Sequence, residues 1–93
     1  METLTIKKGN AEFHEKFYVT AEYGYAMAYS EPEWDGQYII VDVYCSDMFP
    51  GTLEEWYNYR RNLAELALIE NGYAVSTNLG TKVTKKFWDT VKS

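Results

Sequence analysis

The sequence predicts an α+β domain. The expected architecture is a three-stranded antiparallel sheet, four-stranded if a late segment adds an edge, with one long helix packed on one face and a short C-terminal helix. Three observations carry this expectation. Residues 16–30 alternate with a period of two for fifteen positions. Residues 38–44 (Tyr38-Ile39-Ile40-Val41-Asp42-Val43-Tyr44) form a β-branched and aromatic run, and residues 52–72 carry the start and stop signals of a helix.

The first strand is short, with Leu4 and Ile6 alternating with Thr3, Thr5 and Lys7 until Gly9-Asn10 interrupts it. The second is the long alternating segment. Its odd positions are Phe17, Val19, Ala21, Tyr23, Tyr25, Met27 and Tyr29, and its even positions are polar or small. Successive side chains on a strand point to opposite sheet faces, so a single strand would bury the odd face and show the even one. Gly24, lacking a side chain, marks an expected bend in that strand. Glu31-Pro32-Glu33-Trp34-Asp35-Gly36 reads as a turn, because Pro32 cannot donate to a ladder and Asp-Gly favours positive φ.

The third strand runs from Gln37 to Cys45. A bulge near Pro32 would set Ile39, Val41 and Val43 on the same face as Phe17 and Val19 and turn Asp42 away from the core, which buries more apolar surface than the unbulged register. Met48-Phe49-Pro50-Gly51 ends the sheet. Thr52-Leu53-Glu54-Glu55 fits a capping box, in which Thr52 accepts from the amide of Glu55 and Glu55 reaches back to the amide of Thr52. On a helical wheel Leu53, Trp56, Tyr59, Leu63, Leu66 and Ala67 share the expected buried face, and Asn71-Gly72 supplies the stop. Tyr73 to Thr77 alternates weakly as an edge strand. Thr81 to Lys92 spaces Val83, Phe87 and Val91 as a short helix; the competing reading is a hairpin turning at Asn78-Leu79-Gly80.

Ninety-three residues fit one domain, and 46% apolar with 25% charged residues is an ordinary globular balance. Nine Tyr, four Phe and three Trp are more aromatics than so small a core can hide, so some are expected at the surface. One cysteine, Cys45, excludes an internal disulfide, and with His14 as the only histidine no soft metal site can be assembled. The first residues lack a signal-peptide core and no apolar run is long enough to span a bilayer, so a cytoplasmic protein without membrane contact is expected.

Charge is unevenly placed. Residues 10–58 hold ten acids against Lys16 alone, whereas Lys82, Lys85, Lys86 and Lys92 face only Asp89 at the C-terminal end; the whole chain carries −5. That balance disfavours direct nucleic-acid binding, which runs on Lys and Arg. Catalysis has no residue set to support it. His14 would need an orienting partner and a nucleophile, the Glu31/Glu33/Asp35 cluster lacks calcium-loop spacing, and no phosphate-binding glycine loop is present. No enzyme, metal or cofactor is therefore expected.

What remains is a protein that works by contact. The candidate contact groups are Glu31, Glu33 and Asp35 with Trp34 on the turn, and Tyr18, Glu22 and Asp42 on the polar side of the sheet. Aromatic anchors supply desolvated area, and carboxylates steer approach toward a basic surface. In size, charge and lack of catalytic motifs the chain resembles small phage-encoded inhibitors, the broad group that includes anti-CRISPR and anti-restriction proteins. That likeness is compositional. It implies a host protein with a basic, nucleic-acid-handling surface as the partner. The alternative is a homodimeric assembly protein pairing through a sheet edge.

Overall fold

The computed structural model describes residues 2–32 and 37–91. The elements in chain order are β1 (Thr3–Lys7), β2 (Phe13–Glu22), β3 (Tyr25–Tyr29), β4 (Ile39–Cys45), α1 (Leu53–Glu70), β5 (Ala74–Thr77), β6 (Gly80–Val83) and α2 (Lys85–Val91). All six strands form one mixed sheet in the order β1-β4-β2-β3-β6-β5. The pair β1/β4 is parallel and every other pair is antiparallel.

The three- or four-stranded antiparallel sheet expected from the sequence is therefore wrong, for three separate reasons. The alternating segment is two strands, not one: Tyr23 and Gly24 both take positive φ (54° and 85°), the geometry of a two-residue hairpin turn, and Glu22 pairs with Tyr25. The first strand joins β4 in parallel and so escapes the hairpin logic that led to an all-antiparallel sheet. The late segment supplies both competing readings at once, a β5–β6 hairpin followed by the short helix α2.

The sheet is curled around α1. That helix packs against β4, β1, β3, β5 and β2, which include both edges of the sheet. A flat sheet of six strands would hold its edges roughly 24 Å apart, at about 4.8 Å per strand, and a helix about 10–12 Å wide could not touch both. The core fills the concave side, with Phe17, Val19, Ile39, Val41, Val43 and Cys45 from the central strands and Leu63, Ala64, Ala67 and Leu68 from α1. Phe87 and Val91 of α2 close one side of it.

The start of α1 is held by the capping box: Thr52 Oγ1 accepts from Glu55 N at 3.1 Å, and Glu55 Oε1 accepts from Thr52 N at 3.0 Å. The buried stripe of α1 is rotated from the expected one. It consists of Arg60, Leu63, Ala64, Ala67 and Leu68, while Leu53 is 80% exposed and Tyr59 39%. Arg60 takes a core-facing position because Glu15, on the concave side of β2, receives it there. Arg60 Nη1 donates to Glu15 Oε1, its Nε donates to the Trp56 carbonyl at 3.3 Å, and its guanidinium lies 4.3–4.7 Å from the ring centroids of Trp56 and Phe13.

Candidate interaction face

The hairpin turn at Tyr23-Gly24 decides which side chains the protein displays. Across a two-residue turn the pairing runs Val19↔Ala28 and Ala21↔Ala26, so the concave face passes from odd positions in β2 to even positions in β3. Ala26 and Ala28 are buried under α1, and Tyr25, Met27 and Tyr29 emerge on the convex face with Tyr18, Thr20 and Glu22. The expectation that the whole odd face is core holds for Phe17 and Val19 and fails after the turn. Alanines suit the concave side of β3 because α1 also brings alanines, Ala64 and Ala67, to its buried stripe.

The register orders this convex face into rows. Ile40, Tyr18 and Tyr29 lie side by side on β4, β2 and β3, and the next row pairs Thr20 with Met27. Tyr38 stands edge-on to Tyr18 with ring centroids 5.2 Å apart. Beyond this apolar centre, one flank carries Glu22, Tyr25, Lys82 and Val75 in register. The opposite flank carries Lys16 beside Asp42 and then His14 beside Tyr44 and Lys7. The tyrosines, Met27 and Ile40 are all half-buried, and Thr20 is shielded by its larger neighbours at 8% exposure.

Polar contacts fix the flanks. Tyr29 Oη donates to Glu22 Oε1 at 2.9 Å. His14 stacks on Tyr44 at 4.3 Å and its Nε2 lies 3.4 Å from Asp42 Oδ1. This gives His14 the orienting carboxylate that the sequence left unassigned. The His14 side chain is 44% exposed and that of Asp42 19%, so the pair lies at the surface of the sheet. Among the described residues no group of three or more His, Cys, Asp or Glu side chains is placed to hold a metal ion. Cys45 is fully buried, and burial pushes its thiol up despite the opposing charge of Arg60 and the indole N–H of Trp56.

Of the residues singled out from sequence, Tyr18, Glu22 and Asp42 share the convex face. Glu31 is exposed in the segment after β3, and Glu33, Trp34 and Asp35 lie outside the described residues. No protein-family model matches the chain, and no curated protein or solved structure is significantly similar to it. Among the described residues, no helix is long and apolar enough to cross a membrane.

Sequence reading missed Tyr25, Met27, Tyr29, Ile40 and Tyr44 as surface groups. A signal for the first three was present: placing a turn at Tyr23-Gly24 unites Ala21, Ala26 and Ala28 with Phe17 and Val19 on one face. Tyrosine is not a residue that announces a positive-φ turn, so the signal is silent unless both registers are tried.

Proposed function

We propose that this protein is a non-enzymatic interaction module that engages a partner protein through the convex face of its sheet. The supporting observation is the arrangement of that face: an aromatic and apolar centre (Tyr18, Tyr29, Met27, Ile40) flanked by charged side chains, on the side of the sheet opposite the α1-facing core. Tyr and Met are enriched at the centres of protein interfaces and charges at their rims. Nucleic-acid recognition also uses aromatic sheet faces, but it needs unpaired cations along the phosphate path. Here Lys16 stands directly across from Asp42, and the chain as a whole is at −5. A protein working this way acts by covering a partner's surface and requires no chemistry of its own.

The test pairs partner capture with surface variants. Tyr18→Thr with Met27→Thr keeps β-favouring residues on the face while removing its anchors. The double variant should keep its circular dichroism spectrum and bind the captured partner at least about thirtyfold more weakly, the equivalent of an interface hot spot of about 2 kcal/mol. Asn58→Lys on α1 should bind as wild type does. Equal retention by the face variant would remove this reading. Light scattering across micromolar concentrations separates the alternative, because a partner that is a second copy appears as a dimer.

A further inference from the structure

We infer that the groove between the β2–β3 turn and α2 is a receptor for a basic side chain, an arginine or lysine presented by the partner protein. The inference rests on the interaction reading above and names the chemical group that this end of the face takes. The groove has a volume of about 400 Å³ and is lined by Thr20, Ala21, Glu22, Tyr23, Gln37 and Trp88. Three observations converge on a cation as its occupant.

The first is charge. Glu22 is half-buried, its carboxylate is oriented by the Tyr29 hydroxyl at 2.9 Å, and among the described residues no cationic side chain lies within ion-pair distance of it. A carboxylate that is held in place and left without a counter-ion is an acceptor for a guanidinium or ammonium group. The second is the lining. Trp88 is 37% exposed although its helix neighbour Phe87 is fully buried, and Tyr23 is 99% exposed. Aromatic faces beside a carboxylate attract cations through their quadrupole, and this is the arrangement α1 already uses internally, where Arg60 sits among Trp56, Phe13 and Glu15. The third is backbone strain. Tyr23 adopts φ 54°, a conformation that costs an L-residue with a bulky side chain and that Asn or Gly would take more easily. The hairpin turn needs that positive φ but not a tyrosine to supply it, and the 99% exposed ring that stands there places an aromatic group at the lip of the groove.

The probe is a blocked pentapeptide, Gly-Gly-Arg-Gly-Gly, compared with the same peptide carrying citrulline, which is nearly isosteric, replaces one terminal NH2 by a carbonyl oxygen and removes the charge. In a nitrogen–proton correlation spectrum, with the Trp88 indole signal assigned through Trp88→Phe, the arginine peptide should shift that signal and the Glu22 and Tyr23 amides saturably. Citrulline should not. Glu22→Gln should weaken the response by about tenfold, and Tyr23→Asn, which relieves the strained turn without endangering the fold, should weaken it as well. Equal response to citrulline, or shifts spread over Glu54 and Glu55 with none at Trp88, would overturn the inference. The two readings fail separately in partner capture. If Glu22→Gln retains the partner at wild-type strength while Tyr18→Thr/Met27→Thr loses it, the groove is not a recognition site and the face remains one. If the face variant retains the partner, the face reading falls regardless of the peptide.

Discussion

Removing the Arg60 guanidinium would leave Glu15 charged beneath α1, with Phe13, Trp56 and Tyr57 around the gap. Among the described residues, the other oxygen of Glu15 accepts a long 3.4 Å bond from Ser30 Oγ, which itself lies 3.0 Å from Tyr57 Oη. Breaking a fully buried pair from one side costs about 3–5 kcal/mol because a desolvated charge is stranded, and with the Glu15 side chain 23% exposed the cost here is smaller, about 2–3 kcal/mol. That is a large share of the roughly 5–15 kcal/mol available to a domain of this kind. Arg60→Ala is therefore expected to lower the urea midpoint steeply. Glu15→Leu combined with Arg60→Met, which replaces the pair by apolar volume, should return to within about 1 kcal/mol of wild type. A double variant as unstable as Arg60→Ala would show that the aromatic stacking, and not the ion pair, holds the helix. The buried face read from the helical wheel does not include Arg60. Its partner lies 45 residues away, and no local spacing rule reaches that far. The wheel consequently gave Leu53 and Tyr59 to the core in its place.

At the level of elements, what was legible depended on how local its cause is. The capping box at Thr52 and Glu55 and the positive φ of Gly72 (81°) are decided within a few residues, and the helix begins and ends where those signals stand. The inner face of β4 was also readable, since Ile39, Val41 and Val43 are apolar with a strict period of two. The β2–β3 hairpin was not. Its residues alternate without interruption through the turn, and Gly24 alone reads as a bend within one strand, because tyrosine fills positions on an open sheet face as readily as half-buried ones. Three of the seven candidate contact residues fell on the convex face, but its aromatic centre became visible only once the turn was placed. The same turn makes a prediction. Tyr23→Asn should raise stability by roughly 0.5–1 kcal/mol, since Asn tolerates the left-handed region that penalises tyrosine. A lower melting temperature in that variant would mean that the Tyr23 ring contributes packing its 99% exposure does not show.

For the whole molecule the decisive quantity is how the carboxylates respond to pH. Burial raises the carboxyl of Glu65 on α1, against the opposing effects of the Thr81 hydroxyl and Arg61, and the neighbouring Asp47 raises Glu12 by hydrogen bonding and repulsion. A group with a raised value contributes stability that is complete below its unfolded value, near 4.5, and is lost as pH climbs through its folded value. Glu55 behaves oppositely. Its bonds to the Thr52 backbone and hydroxyl lower it, so its contribution is present above 4.5 and disappears as pH falls through its folded value. Net charge adds to the first trend, since the −5 carried at neutrality shrinks toward the isoelectric point near 4.8. Stability should therefore rise on acidification from pH 7, pass a maximum on the acid side of neutrality, and fall once the helix cap protonates. Urea midpoints measured at intervals between pH 2.5 and 8 would trace this curve. Glu65→Gln should flatten its neutral limb while keeping the bond from Thr81, and Glu55→Gln should flatten its acid limb. A curve that Glu65→Gln leaves unchanged would show that the Glu65 carboxylate is better solvated at the α1–β6 contact than its burial implies.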